Sequence, residues 1–401
     1  MTLPLIVYRS LRQHALSTLI TAGSIALACG LLMTVWVVKT QAQAAFVSTS
    51  TTFDAVLGAR GSKLQLVLNG IFHLEASPGN LAASDYELIR KHPAVKTAIP
   101  IAVGDNLRGY RIVGTVPQLL TNVEYAPGKN YAVAPGGKVF GEAAREAVVG
   151  SFAAERLGLK VGSTFQPFHG LTFDEKALHE EVFTVTGILT PTNTPADKVI
   201  WVPIKGVQTM SGHDPKAATD VSAVLIQLRA ASAGVMLDLM INKQGNRMTF
   251  AYPVGAIMAD FFGKISWFDR VLALVAYLVA LVAAGSVLAS IYNSMSARQR
   301  DLAILRALGA RRRTIFGAVV AEAACIGALG AAVGFAIYFG LLTLVAGVIR
   351  AQTGVVLDVT ESHAVLWICP LAMTALCALG GAVPAVKAYR TPVAETLAPV
   401  S

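Results

Sequence analysis

VLALVAYLVALVAAGSVLASIYNSMSA (Val271–Ala297) runs straight into RQRDLAILRALGARRRTIFG (Arg298–Gly317). The first segment has no charge over 27 residues; the second packs six arginines and one aspartate into twenty. A helix crossing a bilayer core of about 30 Å needs roughly 20 mostly apolar residues. The first segment therefore reads as a membrane span, and the second as the cationic stretch held at its end.

Three further stretches qualify as spans. Ala15–Val38 lies between His14 and Lys39, Ala323–Ile349 between Glu322 and Arg350, and Ala364–Val386 between His363 and Lys387. The composition agrees: 54% hydrophobic and 14% charged, against roughly 25% charged in soluble proteins. The first stretch could also be a cleaved signal peptide, with Ala42-Gln43-Ala44 as its small-x-small site. However, a signal h-region runs only about 7–15 residues, so a retained span is expected.

Lys and Arg near span ends set orientation. Arg9 and Arg12 precede the first span, and Lys387 and Arg390 follow the last. The connection after the second span carries Arg298, Arg300, Arg306, Arg311, Arg312 and Arg313. The connection Arg350–His363 sets one arginine against Asp358 and Glu361. Both termini and the arginine-dense connection are thus predicted to be cytoplasmic, in a multi-pass protein of the inner membrane. This use of the basic residues accounts for a net charge of +9. Aromatics are not interleaved with basic residues in the polar part, and no nucleic-acid partner is expected. Cys29, Cys325, Cys369 and Cys377 all lie in apolar segments, with no disulfide or metal spacing.

The predicted fold class is an α-helical membrane protein with four transmembrane helices plus a mixed α/β extracytoplasmic domain between helices 1 and 2. The expected bounds are 1–40 for the N-terminus and first helix and 41–254 for the α/β domain. A stalk and second helix follow over 255–297, then a cytoplasmic coupling helix over 298–316. The third helix spans 317–350, a short outside loop 351–363, the fourth helix 364–388 and a cytoplasmic tail 389–401. Within the α/β domain, Val182–Leu189, Val221–Leu228 and Met248–Pro253 read as strands. Ser84–Glu87 reads as a capping box opening a helix that stops before Pro93, and Ser151 as the cap of a helix ending near Gly158. Ala231–Asn242 reads as another helix. Ser48–Thr52 reads as a polar linker. From Gly255, apolar residues at helical spacing continue into the second span as a stalk.

Within the cationic stretch, Leu302, Leu305 and Leu308 recur at three-residue steps, with Ile304 one turn before Leu308. An amphipathic helix at the membrane surface fits this pattern. It could act as a topology and lipid signal, or as a docking element for a partner. RQRDLAILRALGA resembles the signature of the FtsX-like (MacB/LolC-type) ABC transporter permease family. Arg298, Asp301, Leu302, Ile304, Leu305, Arg306, Leu308 and Gly309 match it position by position. Four other segments resemble the family: YRSLRQHALSTLITAGSIAL (Tyr8–Leu27), GALGAAVGF (Gly327–Phe335), PAVKAYRTPVAETLAP (Pro384–Pro399) and DAVLGARGSKLQLVLNGIFHLEASPGN (Asp54–Asn80). The last resembles one bacterial subgroup whose cargo is unassigned.

The resemblance implies a permease subunit of an ATP-driven transporter, dimeric, whose ATPase partner docks on Arg298, Arg300, Asp301, Leu302, Leu305, Arg306, Leu308 and Gly309. The second permease subunit is expected to be identical, with membrane lipid and a periplasmic or outer-membrane protein as further partners. The outputs of such proteins include lipoprotein extraction, efflux and control of the cell envelope. A membrane-anchored sensor or scaffold without transport is the alternative. No Gly-x-x-x-x-Gly-Lys-[Ser/Thr] loop occurs: Gly136-Gly137-Lys138-Val139 lacks the hydroxyl, and Gly58–Lys63 has the wrong spacing. The chain is therefore not expected to be an enzyme or to bind a cofactor, with ATP and Mg held on a separate ATPase.

Glu322 is costly in a membrane unless paired or near the interface. It is expected to pair with Arg9, Arg12 or a docking-helix arginine, the alternative being an interfacial carboxylate. Gly327, Gly330 and Gly334 put small residues along one side of span three, a pattern for close helix packing. Whether that packing is within the subunit or across a dimer is open, and the reading leans to the latter. His73 and Glu75 are expected to alternate on a strand. They are read with His179-Glu180-Glu181 and His213-Asp214 as surface histidines, not a metal site.

Overall fold

The computed structural model describes residues 3–49, 52–170, 178–211, 219–297 and 310–390. The chain divides into a helical unit, Met1–Gln41, Ser266–Gly347 and Asp358–Ser401, and an α/β unit, Ala42–Ile265 and Val348–Leu357. The helices in chain order are α1 Leu3–Gln13, α2 Ala15–Thr49, α3 Lys63–Gly70, α4 Ala83–Arg90, α5 Gln118–Asn122, α6 Ser151–Leu157, α7 Ile204–Gln208, α8 Ala231–Asp238, α9 Val254–Ala297, α10 Arg312–Thr353 and α11 Val365–Arg390. The strands are β1 Ala55–Ala59, β2 Val95–Leu107, β3 Tyr110–Thr115, β4 Glu124–Ala126, β5 Lys129–Asn130, β6 Glu146–Val149, β7 Thr164–Phe165, β8 Phe168–His169, β9 Phe183–Ile188, β10 Ile200–Pro203, β11 Ala223–Leu228 and β12 Met248–Ala251.

In the helical unit, α2, α9, α10 and α11 are long and apolar enough to cross a membrane. At 1.5 Å per residue, the 44 residues of α9 extend about 66 Å and the 26 of α11 about 39 Å. Each helix has one buried line at helical spacing: Ile25, Cys29, Met33 and Val37 on α2; Ala280, Ala283, Val287 and Ile291 on α9; Tyr338 and Leu342 on α10; Cys369, Met373 and Cys377 on α11. Leucines and valines such as Leu274, Leu278, Leu281 and Val282 are exposed on the other side of α9. A helix apolar all round belongs in lipid or in a deep core, and these faces carry the apolar surface a membrane would cover.

α1 is a separate element, broken from α2 at His14. Val7 and Ser10 are buried on one face, while Arg9 and Arg12 are exposed on the other. The expected linker at Ser48 begins inside α2, which runs to Thr49. The apolar residues at helical spacing from Gly255 onward lie in the opening turns of α9, which runs without a break to Ala297.

The α/β unit is built on a mixed ten-stranded sheet ordered β12-β1-β11-β2-β3-β10-β6-β9-β7, with β8 added on β2. β3 pairs with β10 and β6 with β9 in parallel; the other pairs are antiparallel. The β-branched runs read from sequence form β9, whose inward side chains alternate with more exposed ones, and β11, which is buried through most of its length. Three clusters cover the sheet, around Val113, Leu225 and Trp201, around Phe165 and Phe183, and around Leu57 and Phe250.

Two expected caps fail. α4 opens at Ala83 with Ala82 as its N-cap, which has no side-chain acceptor; Ser84 is left inside the first turn and Glu87 pairs forward with Arg90. α6 is capped by Gly150, which leaves Ser151 inside the first turn; the helix does end at Gly158. The helix expected over Ala231–Asn242 changes after Asp238 into a π-helical turn, Leu239–Gln244.

Candidate functional site

The residues expected to dock a partner, Arg298, Arg300, Asp301, Leu302, Leu305, Arg306, Leu308 and Gly309, lie outside the described residues. The chain enters that stretch from α9 and leaves it into α10. The other sequence-derived residues can be placed.

Glu322 on α10 accepts a hydrogen bond from the Ser10 hydroxyl on α1. The expected arginine pairing does not occur among the described residues. On α1 the buried face carries Ser10, and Arg9 and Arg12 project the other way.

The small-residue stripe of α10 packs inside the subunit, which corrects the lean towards a dimer contact. A Cβ at Gly330 would stand 2.7 Å from Ile25 Cβ and 2.8 Å from the Ala22 carbonyl oxygen; one at Gly334 would stand 3.1 Å from Cys29 Cβ. Both glycines therefore seat α2. Gly327 faces α11 instead, where a Cβ would meet Cys377 Cβ at 2.9 Å. Small residues permit this approach and the dispersion contacts that come with it. Beyond these contacts, Gln41 Nε2 donates to the Asp358 carbonyl at 2.7 Å and lies 3.0 Å from His363 Nε2.

In the α/β unit, His73 and Glu75 do not alternate on a strand. They lie in the irregular segment after α3, and His73 has φ 55°, which no extended strand accommodates. Its ring meets Trp201 edge-on at 5.3 Å. Burial first, and then the nearby Arg111 charge, hold the His73 imidazole down to about 3. His73 lines a cleft of about 510 Å³ together with Phe72, Arg111 and Lys198. Arg111 donates to the Glu75 carbonyl and Lys198 to the Gln352 carbonyl, each at 2.7 Å. Burial pulls the pKa of both cations down.

Beside this cleft, Asp105, His169 and His179 converge. β2 pairs with β3 at Val103–Val113 and next at Asn106–Arg111, so one extra residue bulges out of β2 over Gly104–Asp105. Bulges re-aim side chains. On its other edge β2 takes up β8, with Asp105 directly opposite His169. A two-residue turn with positive φ at Arg108 and Gly109 closes the β2–β3 hairpin, and Asn106 Oδ1 accepts from the Gly109 N–H at 3.1 Å. His179 is fastened by its own N–H to the Pro167 carbonyl at 3.0 Å.

Asp105 Oδ1 lies 3.1 Å from His169 Nδ1 and 3.0 Å from His179 Nε2. The Asp105 side chain is fully buried, His179 is 5% exposed and His169 is 61% exposed. Reading His179 as a surface histidine is thus corrected: it is core-facing, held under Ser211. His213 and Asp214 lie outside the described residues. Sequence inspection missed Asp105 and His169 because 64 and 74 residues separate Asp105 from its two partners. The one local signal is the Val-Gly-Asp-Asn run, a glycine and two polar residues inside an otherwise apolar strand.

The fold and its inserted domain define a class, a multi-pass membrane protein with an α/β domain between its first and second spans. The family model of the MacB-like periplasmic core domain matches residues 16–236, more than half the chain. That of the FtsX-like permease C-terminal region matches 273–393. The chain belongs to the FtsX-like, MacB-type ABC transporter permeases. No curated protein matches it. Among solved structures, the periplasmic region of MacB from Actinobacillus actinomycetemcomitans aligns at 12% identity and a TM-score of 0.34, covering 54% of this chain and 95% of that one. The extracellular domain of the noncanonic ABC-type transporter YknZ from Gram-positive bacteria aligns at 16% identity and 0.30, covering 49% and 97%.

Proposed function

We infer that this chain is the membrane subunit of an ATP-driven machine. A separate ATPase grips the Arg298–Gly309 stretch on the cytoplasmic side of the inner membrane, and the α/β unit works on the opposite side. The observation that carries this reading is the placement of the arginine-dense stretch. It joins the two longest apolar helices, α9 and α10, in a family of ABC permeases. The leucine stripe supplies an apolar footing and the arginines supply register, the combination by which charged rims orient docked partners. Movement of the ATPase subunits is then passed through the helices to the α/β unit, in a dimer of identical subunits. The output falls in the range of lipoprotein or lipid extraction, efflux and envelope control.

The test is affinity purification of the full chain from native membranes in mild detergent. A P-loop ATPase is expected to be retained with the wild type and lost on combining Leu305→Asp with Arg306→Glu, while both chains remain membrane-inserted. Retention of the ATPase by the variant would overturn the docking assignment. Ligand binding to the α/β unit with no ATPase in either preparation would favour a sensor or scaffold.

A further inference from the structure

We propose that Asp105, His169 and His179 form a binding site for a divalent metal ion of the zinc class. This stands independently of the permease reading.

The first argument is about protons. His179 Nδ1 lies 2.7 Å from the Ser211 carbonyl oxygen, which can only accept, so Nδ1 carries the ring's proton. In a neutral imidazole the other nitrogen, Nε2, then presents a lone pair. That lone pair faces Asp105 Oδ1 at 3.0 Å, which is also an acceptor. Two lone pairs at this distance need a cation between them, either a second ring proton or a metal ion. An Nδ1–H bond to a backbone carbonyl is also the outer contact that fixes the tautomer of metal-ligating histidines.

The second argument is convergence. His169 aims Nδ1 at the same Oδ1 atom, 3.1 Å away, and the three ligand atoms all lie within 4.8 Å of one another. Ligands bound tetrahedrally to zinc at about 2.0–2.1 Å stand about 3.3 Å apart. The two oxygen–nitrogen distances fall within a few tenths of an ångström of that spacing, and the two nitrogens lie within 4.8 Å of each other, so a swing of the exposed His169 ring would close the shell on an ion. A proton on each ring would serve the two Asp105 contacts separately, whereas one ion serves all three ligand atoms at once. Two imidazoles and a carboxylate suit zinc and its neighbours better than calcium or magnesium, which prefer all-oxygen shells.

The third is mechanical. Asp105 and His169 sit at opposed positions of paired strands, and the bulge sets the carboxylate's direction. Ligands on strands are held more narrowly than ligands on loops. His169 is exposed, so the ion has a route in, while the other two ligands are shielded.

The experiment uses the full chain in detergent, with any affinity tag removed, stripped with chelator and then dialysed against Zn²⁺. Elemental analysis of wild type should give one zinc per chain. His169→Ala, which removes an exposed side chain bonded to the Asp105 carboxylate, should lower zinc affinity at least tenfold, while the stripped variant still unfolds cooperatively with only a slightly lowered thermal midpoint. His179→Ala should abolish retention. Cobalt loading should give the visible d–d absorption of a low-coordinate nitrogen–oxygen site in wild type alone. If wild type holds no more zinc than His169→Ala, or cobalt gives only the spectrum of the hexa-aquo ion, the proposal fails and the cluster is a protonated His179–Asp105 ion pair.

Discussion

Ser10 on α1 hydrogen-bonds Glu322 on α10, across 312 residues of sequence. The contact ties the short amphipathic helix at the N-terminus to the third long apolar helix. It also gives an acidic group in an apolar helix a donor. Ser10→Ala is expected to destabilise the protein by roughly 1–2 kcal/mol, the cost of depriving a partly buried carboxylate of a donor. Glu322→Ala made on top of it should cost less than on its own. A double-mutant cycle on thermal unfolding in detergent checks the coupling, and strict additivity would mean that the two side chains do not interact.

Gly330 offers a steric test. Gly330→Val places side-chain carbons where Ile25 and the Ala22 carbonyl already stand. Overpacking of this kind costs roughly 1–3 kcal/mol. Gly340, on the same helix, has nothing within 4 Å of a built Cβ, so Gly340→Ala should leave the unfolding midpoint unchanged or slightly raised.

Asp197 organises the turn before β10. Its carboxylate accepts from the Thr192 N–H at 3.0 Å, the Thr192 hydroxyl at 2.8 Å and the Asn193 N–H at 2.8 Å. It thereby holds Asn193 at φ 59°. Asp197→Ala leaves those donors unmatched in a buried turn and is expected to cost roughly 2–4 kcal/mol. Asp197→Asn, which keeps one acceptor oxygen, should recover part of the loss in the same unfolding assay.

His73 makes folding sensitive to acid. Its pKa falls from 6.5 to about 3 on folding, so between these values the unfolded chain holds a proton that the folded chain does not. Stability therefore rises with pH in this window. The contribution is complete above pH 6.5 and is lost progressively as pH falls towards 3. His73→Asn, which tolerates the positive φ, should flatten the dependence of the unfolding midpoint on pH between 4 and 6. An unchanged slope would show that other groups set it.

Orientation can be read by labelling. With the native cysteines replaced, a single cysteine at Arg108, in the hairpin turn of the α/β unit, should react with an impermeant maleimide in cells whose inner membrane is intact. A cysteine at Arg306 should react only after permeabilisation. The reverse pattern would invert the topology.

The spans were legible because uninterrupted apolar runs admit few other structures in water or lipid, and β9, β11 and the first turns of α9 because their side-chain patterns are strong. What sequence could not give was contact over distance. The direction in which Ser10 faces depends on a helix break at His14, and the meeting of Asp105 with His169 depends on a strand added to an edge. The caps at Ser84 and Ser151 misled because a hydroxyl or carboxylate near a helix start does not reveal whether it turns to the backbone or elsewhere. The left-handed backbone of His73 is not legible in sequence, because alternation of two residues is too short a signal to register it.

The additional residue at Gly104–Asp105 works as a half-step in the pleat of β2. Remove it, and Val103 and Asn106 keep their partners on β3 while Asp105 falls opposite Ile112 in a regular pleat, so the carboxylate loses the direction that brings it to two imidazoles. Insertions and deletions along this one strand should therefore be far less interchangeable than point changes. A graft of the hairpin onto a relative would carry the chemistry only if it brought that odd residue along.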